Sequence, residues 1–240
     1  MKKEILKRIF EFLEEKEQQN PPFLWKHINN IPLTEEDLNI KGDLYLSYKE
    51  IDSLPEGLKV HGVLNLSSTR KLKSLPNDLY VRNDLNLKYS GIESLPEGMK
   101  IGGDFNLSYT DNLKSLPSDL TVDGTLFLYR SGITSLPEGL KVVWDLDLAH
   151  TVIESLPESL EVGTTLKLHH SRIKSLPEGL ELGGDLILNN SSIKSLPKGL
   201  KVWGSLYIKH TVLANYTDDK LREMVNPGFI KGIDRISEFG

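Results

Sequence analysis

Residues 175–194 read Ser-Leu-Pro-Glu-Gly-Leu-Glu-Leu-Gly-Gly-Asp-Leu-Ile-Leu-Asn-Asn-Ser-Ser-Ile-Lys, and the flanking sequence follows the same wording. The opening Ser-Leu-Pro recurs at residues 53, 74, 94, 115, 135, 155, 175 and 195, at spacings of 20 or 21. Self-similarity at one short period is the signature of a solenoid, because each unit buries its apolar face only against its neighbours. With the serine as position 1, the apolar letters fall at positions 2, 6, 8, 12, 14 and 19. In this copy they are Leu176, Leu180, Leu182, Leu186, Leu188 and Ile193, and they predict one core layer per coil.

Positions 12 and 14 alternate with polar residues, which predicts a short strand with two inward side chains; stacked coils turn these strands into a parallel sheet. Pro-Glu-Gly is turn chemistry, since proline presets φ and glycine accepts the positive φ that follows. Positions 6 to 8 predict a second short strand on the opposite side, and the glycine corner, as at Gly102-Gly103 and Gly183-Gly184, returns the chain to the first sheet. Unit-like wording starts at Gly42-Asp43-Leu44-Tyr45-Leu46 and ends with Leu206, Ile208 and Leu213, so about nine coils occupy residues 38–213. At about 4.8 Å per strand the stack is roughly 40 Å long.

An open stack needs closed ends. Residues 1–37 read as an N-terminal helical cap, with Ile5, Leu6, Ile9, Phe10 and Leu13 striping one helix face before Pro21-Pro22 stops it. Five basic and five acidic residues balance on that helix, which gives an anionic membrane little to attract. Residues 214–240 read as a C-terminal helical cap and tail: Thr217 is placed to N-cap a helix running to Val225, Asp218 and Asp219 suit its first turn, and Asn226-Pro227-Gly228 ends it.

The 240 residues carry a formal net charge of −5, the wrong sign for a protein held to nucleic acid by phosphate contacts. There is no cysteine, which removes disulfides, thiolate zinc sites and cysteine nucleophiles. With no long apolar run and a charged beginning, the chain is expected to be cytoplasmic, away from membranes.

The stretch Leu186-Ile-Leu188-Asn-Asn-Ser191-Ser-Ile193-Lys-Ser-Leu196-Pro197 resembles the L-x-L-x-x-N-x-L-x-x-L-P pattern of bacterial leucine-rich repeats, and in its wording the small repeat proteins of phages and prophages. The ending Gly228-Phe229-Ile230-Lys231-Gly232 resembles the phage type as well. The resemblance implies a leucine-rich-repeat-like parallel β-solenoid acting as a non-enzymatic protein-binding scaffold, a phage or prophage accessory protein that inhibits a host defence protein. The family's ladder asparagine is here Ser or Thr, at Thr69, Ser90, Thr110, Ser131, Thr151, Ser171, Ser191 and Thr211. Those hydroxyls are expected to bond the backbone of an adjacent coil. The ubiquitin ligase appended to some such repeats is excluded by the missing cysteine.

Recognition belongs to positions that vary between units while facing solvent from the sheet: 11, 13, 15 and 16. Position 16 reads Tyr48, Ser68, Tyr89, Tyr109, Arg130, His150, His170, Asn190, His210, and position 15 includes Lys88, Tyr129, His169 and Lys209. Tyrosine, arginine and histidine are interface anchors, large and amphipathic with few rotatable bonds. Tyr89, Tyr109, Tyr129, Arg130, His150, His169, His170 and His210 are therefore the candidate protein-binding residues. Trp144, which replaces a corner glycine, joins them, and Trp203 replaces another corner glycine. Cross-strand stacking that merely stabilises the sheet is the structural alternative. Asn65, Asn86 and Asn106 at position 13 suggest an amide ladder. Two functional alternatives are a small-ligand site for nucleotides or glycans on the tyrosine column and a metal-dependent enzyme centred on His150, His169 and His170. His150, His170 and Asp147 share a face, yet a flat open sheet lacks the enclosure that fixes metal geometry. No cofactor, metal or catalytic residue is assigned.

Overall fold

The computed structural model describes residues 22–237, so the helix expected over the first residues lies outside the described part. The chain winds as a leucine-rich-repeat-like parallel β-solenoid. Positions 12 and 13 of each unit form a two-residue strand of a front sheet, from Leu44–Tyr45 through Leu186–Ile187, and each pairs in parallel with its neighbour one coil on. Equivalent positions stand opposite each other, as in Leu126↔Leu146 and Leu146↔Leu166. Positions 7 and 8 form the expected back sheet of seven strands, Asn39–Ile40 through Glu161–Val162.

The apolar positions meet between the two sheets. Leu176, Leu180, Leu182, Leu186, Leu188 and Ile193 are all buried, and the same columns are filled above and below in one continuous core. At roughly 1.5–3 kcal/mol per buried aliphatic side chain, each coil depends on its neighbours for most of its stability.

Turn chemistry at position 5 is read differently in alternate units. Gly57, Gly98 and Gly139 have positive φ. The intervening Asp78, Asp119 and Ser159 instead accept hydrogen bonds from the N–H groups of those glycines, at 2.8, 2.7 and 2.7 Å. Gly179 and Gly199, both with positive φ, break this alternation. In the same region the back sheet stops: Glu181–Leu182 pairs forward with Lys201–Val202, and a cleft of about 460 Å³ opens beside Leu160, Glu161, Pro177 and Leu180.

The ends differ from the sequence expectation in detail. The helix expected to stop at Pro21-Pro22 lies outside the described residues; a further helix, Pro22–Ile28 (α1), starts there, because proline suits the first helical position. Its Phe23 and Leu24 are buried, and Lys26 pairs with Asp37 at 2.6 Å. Asp37 belongs to the short helix Glu35–Leu38 (α2), where it forms a capping box with Thr34. At the other end Thr217 caps the helix Asp218–Val225 (α3) as its residue type implies, and Leu221 and Val225 are buried. The tail beyond it is a strand: Phe229–Asp234 pairs in parallel with the seven-residue strand Lys201–Tyr207, spanning both sheets and covering the last coil.

Coil-to-coil spacing leaves no room for a side chain at some corners. A Cβ on Gly163 would lie well inside contact distance of the Val143 carbonyl oxygen, whereas one on Gly139 would meet nothing within 4 Å and pay only for its positive φ. Both glycines are exposed. Gly139→Ala is therefore expected to cost about 1 kcal/mol, and Gly163→Ala substantially more; urea titrations of the two variants measure the difference.

Candidate functional site

Position 16, expected to face solvent from the sheet, is the third residue of a turn that ends the strand. All nine residues of this column, none of them glycine, have φ between +52° and +63°. Two sets of bonds hold them there. The N–H groups of the first eight donate to the position-15 carbonyl of the next coil, as Tyr89 to Ser108 at 3.0 Å, Tyr109 to Tyr129 at 2.9 Å and His150 to His169 at 3.0 Å. The position-17 N–H closes the turn onto position 14, as Ser131 to Leu128 at 3.0 Å. A left-handed conformation costs a non-glycine residue roughly 1–2 kcal/mol, and for a bulky tyrosine it is unusual. Glycine would fold this turn more cheaply; what the actual residues add is side chains.

Those side chains form a ridge along one margin of the front sheet. Tyr89 and Tyr109 stack with ring centroids 4.3 Å apart, and Tyr109 meets Tyr129 edge-on at 5.3 Å. Tyr129 meets His150 at 5.2 Å, and His150 stacks on His170 at 4.5 Å. Arg130 interrupts the position-16 aromatics, and Tyr129 of position 15 bridges the gap. The Arg130 guanidinium lies over Tyr109 and Tyr129, and the Lys88 ammonium over Tyr89 and Tyr109, all within 6 Å of the ring centres. A hydrogen bond with Tyr109 raises the pKa of Tyr89. Burial, followed by the bond to Tyr109, does the same to Tyr129. Beyond His170 the ridge passes to Asn190, whose amide lies 3.4 Å from the His170 ring. His210, exposed two coils further on, stands outside the stacked series.

The other variable columns do structural work that residue type alone did not reveal. Position 15 was expected to face solvent, yet Ser108, Ala149, His169 and Asn189 are buried because the turn folds this residue back over the sheet. At position 13, Asn65, Asn86 and Asn106 do not ladder with one another. Each side-chain oxygen accepts the N–H two residues on, at 3.0 Å, and Asp147 does the same for Ala149. At position 11, Asp43, Asp84, Asp104, Asp145 and Asp185 each accept the N–H of the equivalent residue in the next coil. The hydroxyl column also departs from expectation. Thr69, Thr110, Thr151, Ser171 and Thr211 donate to the position-14 carbonyl of their own coil at 2.6–2.7 Å, and not to an adjacent coil. The turn brings that carbonyl closest, and the β-branch of threonine limits χ1.

The histidines divide by depth. His169 is buried, its Nδ1 has no hydrogen-bond partner, and burial together with His150, His170 and Lys167 lowers its pKa to about 4. Burial, His170 and Arg130 also lower that of His150. The imidazoles of His150 and His170 lie face to face, 15° from parallel, so their nitrogens do not converge on one point. Among the described residues no group of three His, Asp or Glu side chains is arranged to hold a metal ion. Asp147 is drawn toward its neutral form by burial, against the opposing Ala149 N–H and Lys167 charge.

Trp144 and Trp203 sit away from the ridge, at the corner joining the two sheets. Trp144 is exposed beside exposed Val143. Trp203 packs edge-on against Phe229 of the closing strand and donates to Glu181 at 3.2 Å. Next to the ridge a shallow hollow of about 270 Å³ is bounded by Arg70, Tyr89, Tyr109, Asp111 and Asn112.

No protein-family model matches the chain, and no curated protein does. Among solved structures it is similar to a leucine-rich-repeat protein of Leptospira interrogans, with 13% identity over 82% of this chain and 96% of that one and a TM-score of 0.29. The fold is assigned on the coil geometry itself. No helix among the described residues is long and apolar enough to cross a membrane.

Two outcomes follow from the column geometry. Ser68 has the left-handed turn without a ring to stack, so Ser68→Gly is expected to stabilise the protein by up to about 1 kcal/mol, whereas Tyr109→Gly trades the same relief against two ring contacts and gains nothing. Because the folded-state pKa of His169 lies below its unfolded value, protonation favours unfolding: stability is complete above about pH 6.5 and falls as pH drops toward 4. Melting temperatures measured across that range should show a shallower decline for His169→Asn.

Proposed function

We propose that the protein is a binding scaffold that docks another protein on the ridge formed by Tyr89, Tyr109, Tyr129, Arg130, His150 and His170. The observation that carries this reading is the position-16 column: nine coils hold a non-glycine side chain in a conformation glycine would adopt at lower cost, and four of these, Tyr89 with Tyr109 and His150 with His170, stack along one partly exposed ridge. Strained backbone that is over-determined by its surroundings belongs to working surfaces. Tyrosine and arginine suit a hot spot. Stacking also pre-orders the side chains, which lowers the entropy lost on docking. His169 supports the ridge from beneath, His210 extends the column beyond it, and Trp144 is a separate exposed patch.

The resemblance to phage and prophage repeat proteins supports a finer reading, in which the scaffold is an accessory protein acting in the host cytoplasm on a host defence protein. Binding, and not catalysis, is the activity proposed. Tyr109→Ala/Arg130→Ala/His170→Ala is expected to retain the circular dichroism spectrum of the parent and to lose the protein that the parent captures from extracts of its natural host. Undiminished capture by the triple variant would place the interface on the back sheet or at the ends.

A further inference from the structure

Resting on the docking surface proposed above, we infer that its partner presents an acidic protein segment, one that meets the ridge with carboxylates. The whole chain is net −5, yet positions 13, 15 and 16, taken together over all coils, hold four Lys or Arg residues and one carboxylate, Asp147. That carboxylate is half-buried, occupied by the Ala149 N–H and biased toward its neutral form. The aspartates of position 11 stand on the opposite margin of the sheet, each with an oxygen already spent on the next coil's backbone. Lys88, Arg130 and Lys167 have no carboxylate within ion-pair distance among the described residues, whereas Lys71, Lys73, Lys141, Lys174 and Lys201 on other faces each pair with a glutamate one coil away. Lys88, Arg130 and Lys167 therefore keep their charges available to a partner.

Ring geometry narrows the partner further. Stacking takes one face of each of Tyr89, Tyr109, His150 and His170, and Lys88 and Arg130 lie over the tyrosine rings, so no unbroken row of free ring faces is left as a platform for successive unpaired nucleobases, which bind single-stranded sites through their π-faces. What the ridge presents outward is ring edges bearing hydroxyl and imidazole N–H donors, interleaved with an ammonium and a guanidinium. Donors and cations in a row match a row of carboxylate acceptors, and an Arg–carboxylate fork adds geometric specificity. Complementarity of this kind raises association rates and falls away as salt screens it.

The test uses the full chain and a fluorescein-labelled poly-glutamate peptide, with poly-lysine and oligothymidylate as comparison probes, followed by anisotropy at low and high salt. Expected are poly-glutamate binding that weakens with salt, a loss of about tenfold or more in Lys88→Glu/Arg130→Glu/Lys167→Glu, and gain of poly-lysine binding by that variant. Absence of poly-glutamate binding, or tighter binding of oligothymidylate, overturns the inference. Salt dependence is read on the unsubstituted protein, so a misfolded variant does not remove the test. Partner capture from host extract then separates the two readings. Capture that survives the charge reversal but is lost in the alanine triple variant sinks the acidic partner and leaves the docking surface standing.

Discussion

Parallel stacking of coils in strict register is the constraint on which the rest of this molecule depends. At each front-sheet coil the N–H groups of positions 12, 14 and 16 donate to carbonyls of the next coil at positions 11, 13 and 15, as Leu64 to Asp84, Leu66 to Asn86 and Ser68 to Lys88. A shift by one residue would send every inward leucine to solvent. In register, position n lies over position n, and the protein becomes a set of columns. A residue that would be unremarkable alone acquires a neighbour of the same kind about 4.8 Å away. Leucine columns make the core, aspartate columns cap backbone, and aromatic columns stack.

Each column resolves a different backbone need. The front strand pairs fully for only two residues, so the N–H of position 15 would be stranded; in four coils an Asn or Asp at position 13 takes it up. The corner N–H at position 11 is taken by the aspartate of the preceding coil. An unpaired buried N–H costs about as much as a lost hydrogen bond, so these polar side chains contribute to the fold as surely as the leucines do. Only position 16 combines a sterically costly backbone with side chains that are free of such duty. That combination is the basis on which position 16 is proposed as the docking surface.

Much of this was legible in the residues. The period, the inward positions 2, 6, 8, 12, 14 and 19, a back strand within positions 6 to 8, and the Thr217 cap all follow from patterns that are local in sequence, because alternation, turn residues and capping act over a few bonds. The ridge was legible as a list of tyrosines, arginine and histidines, but not as a continuous stack, since Tyr129 joins it from position 15 across the gap left by Arg130. Residue type does not signal the burial of Ser108, Ala149, His169 and Asn189 at position 15, where the turn folds the chain back. Nothing in Leu-His-His marks the first histidine as buried and the second as exposed; the left-handed residue at His170 reverses the chain there and folds His169 inward.

Sequence alone determined that this chain is a solenoid of two-sided coils with a leucine core, because a 20-residue period of apolar letters admits no other economical burial. It also determined which residue types occupy each column. Tertiary structure decided what each column does: that the hydroxyls of Thr69, Thr110, Thr151, Ser171 and Thr211 bond their own coil while those of Ser90, Ser131 and Ser191 are buried without a partner, that the position-11 aspartates hold the next coil, that the tail becomes a closing strand, and that Lys88, Arg130 and Lys167 meet no carboxylate among the described residues. The physical reason is that burial, pairing and charge neutralisation are settled between coils. The residues concerned lie some twenty positions apart in the chain and meet only when the stack has formed.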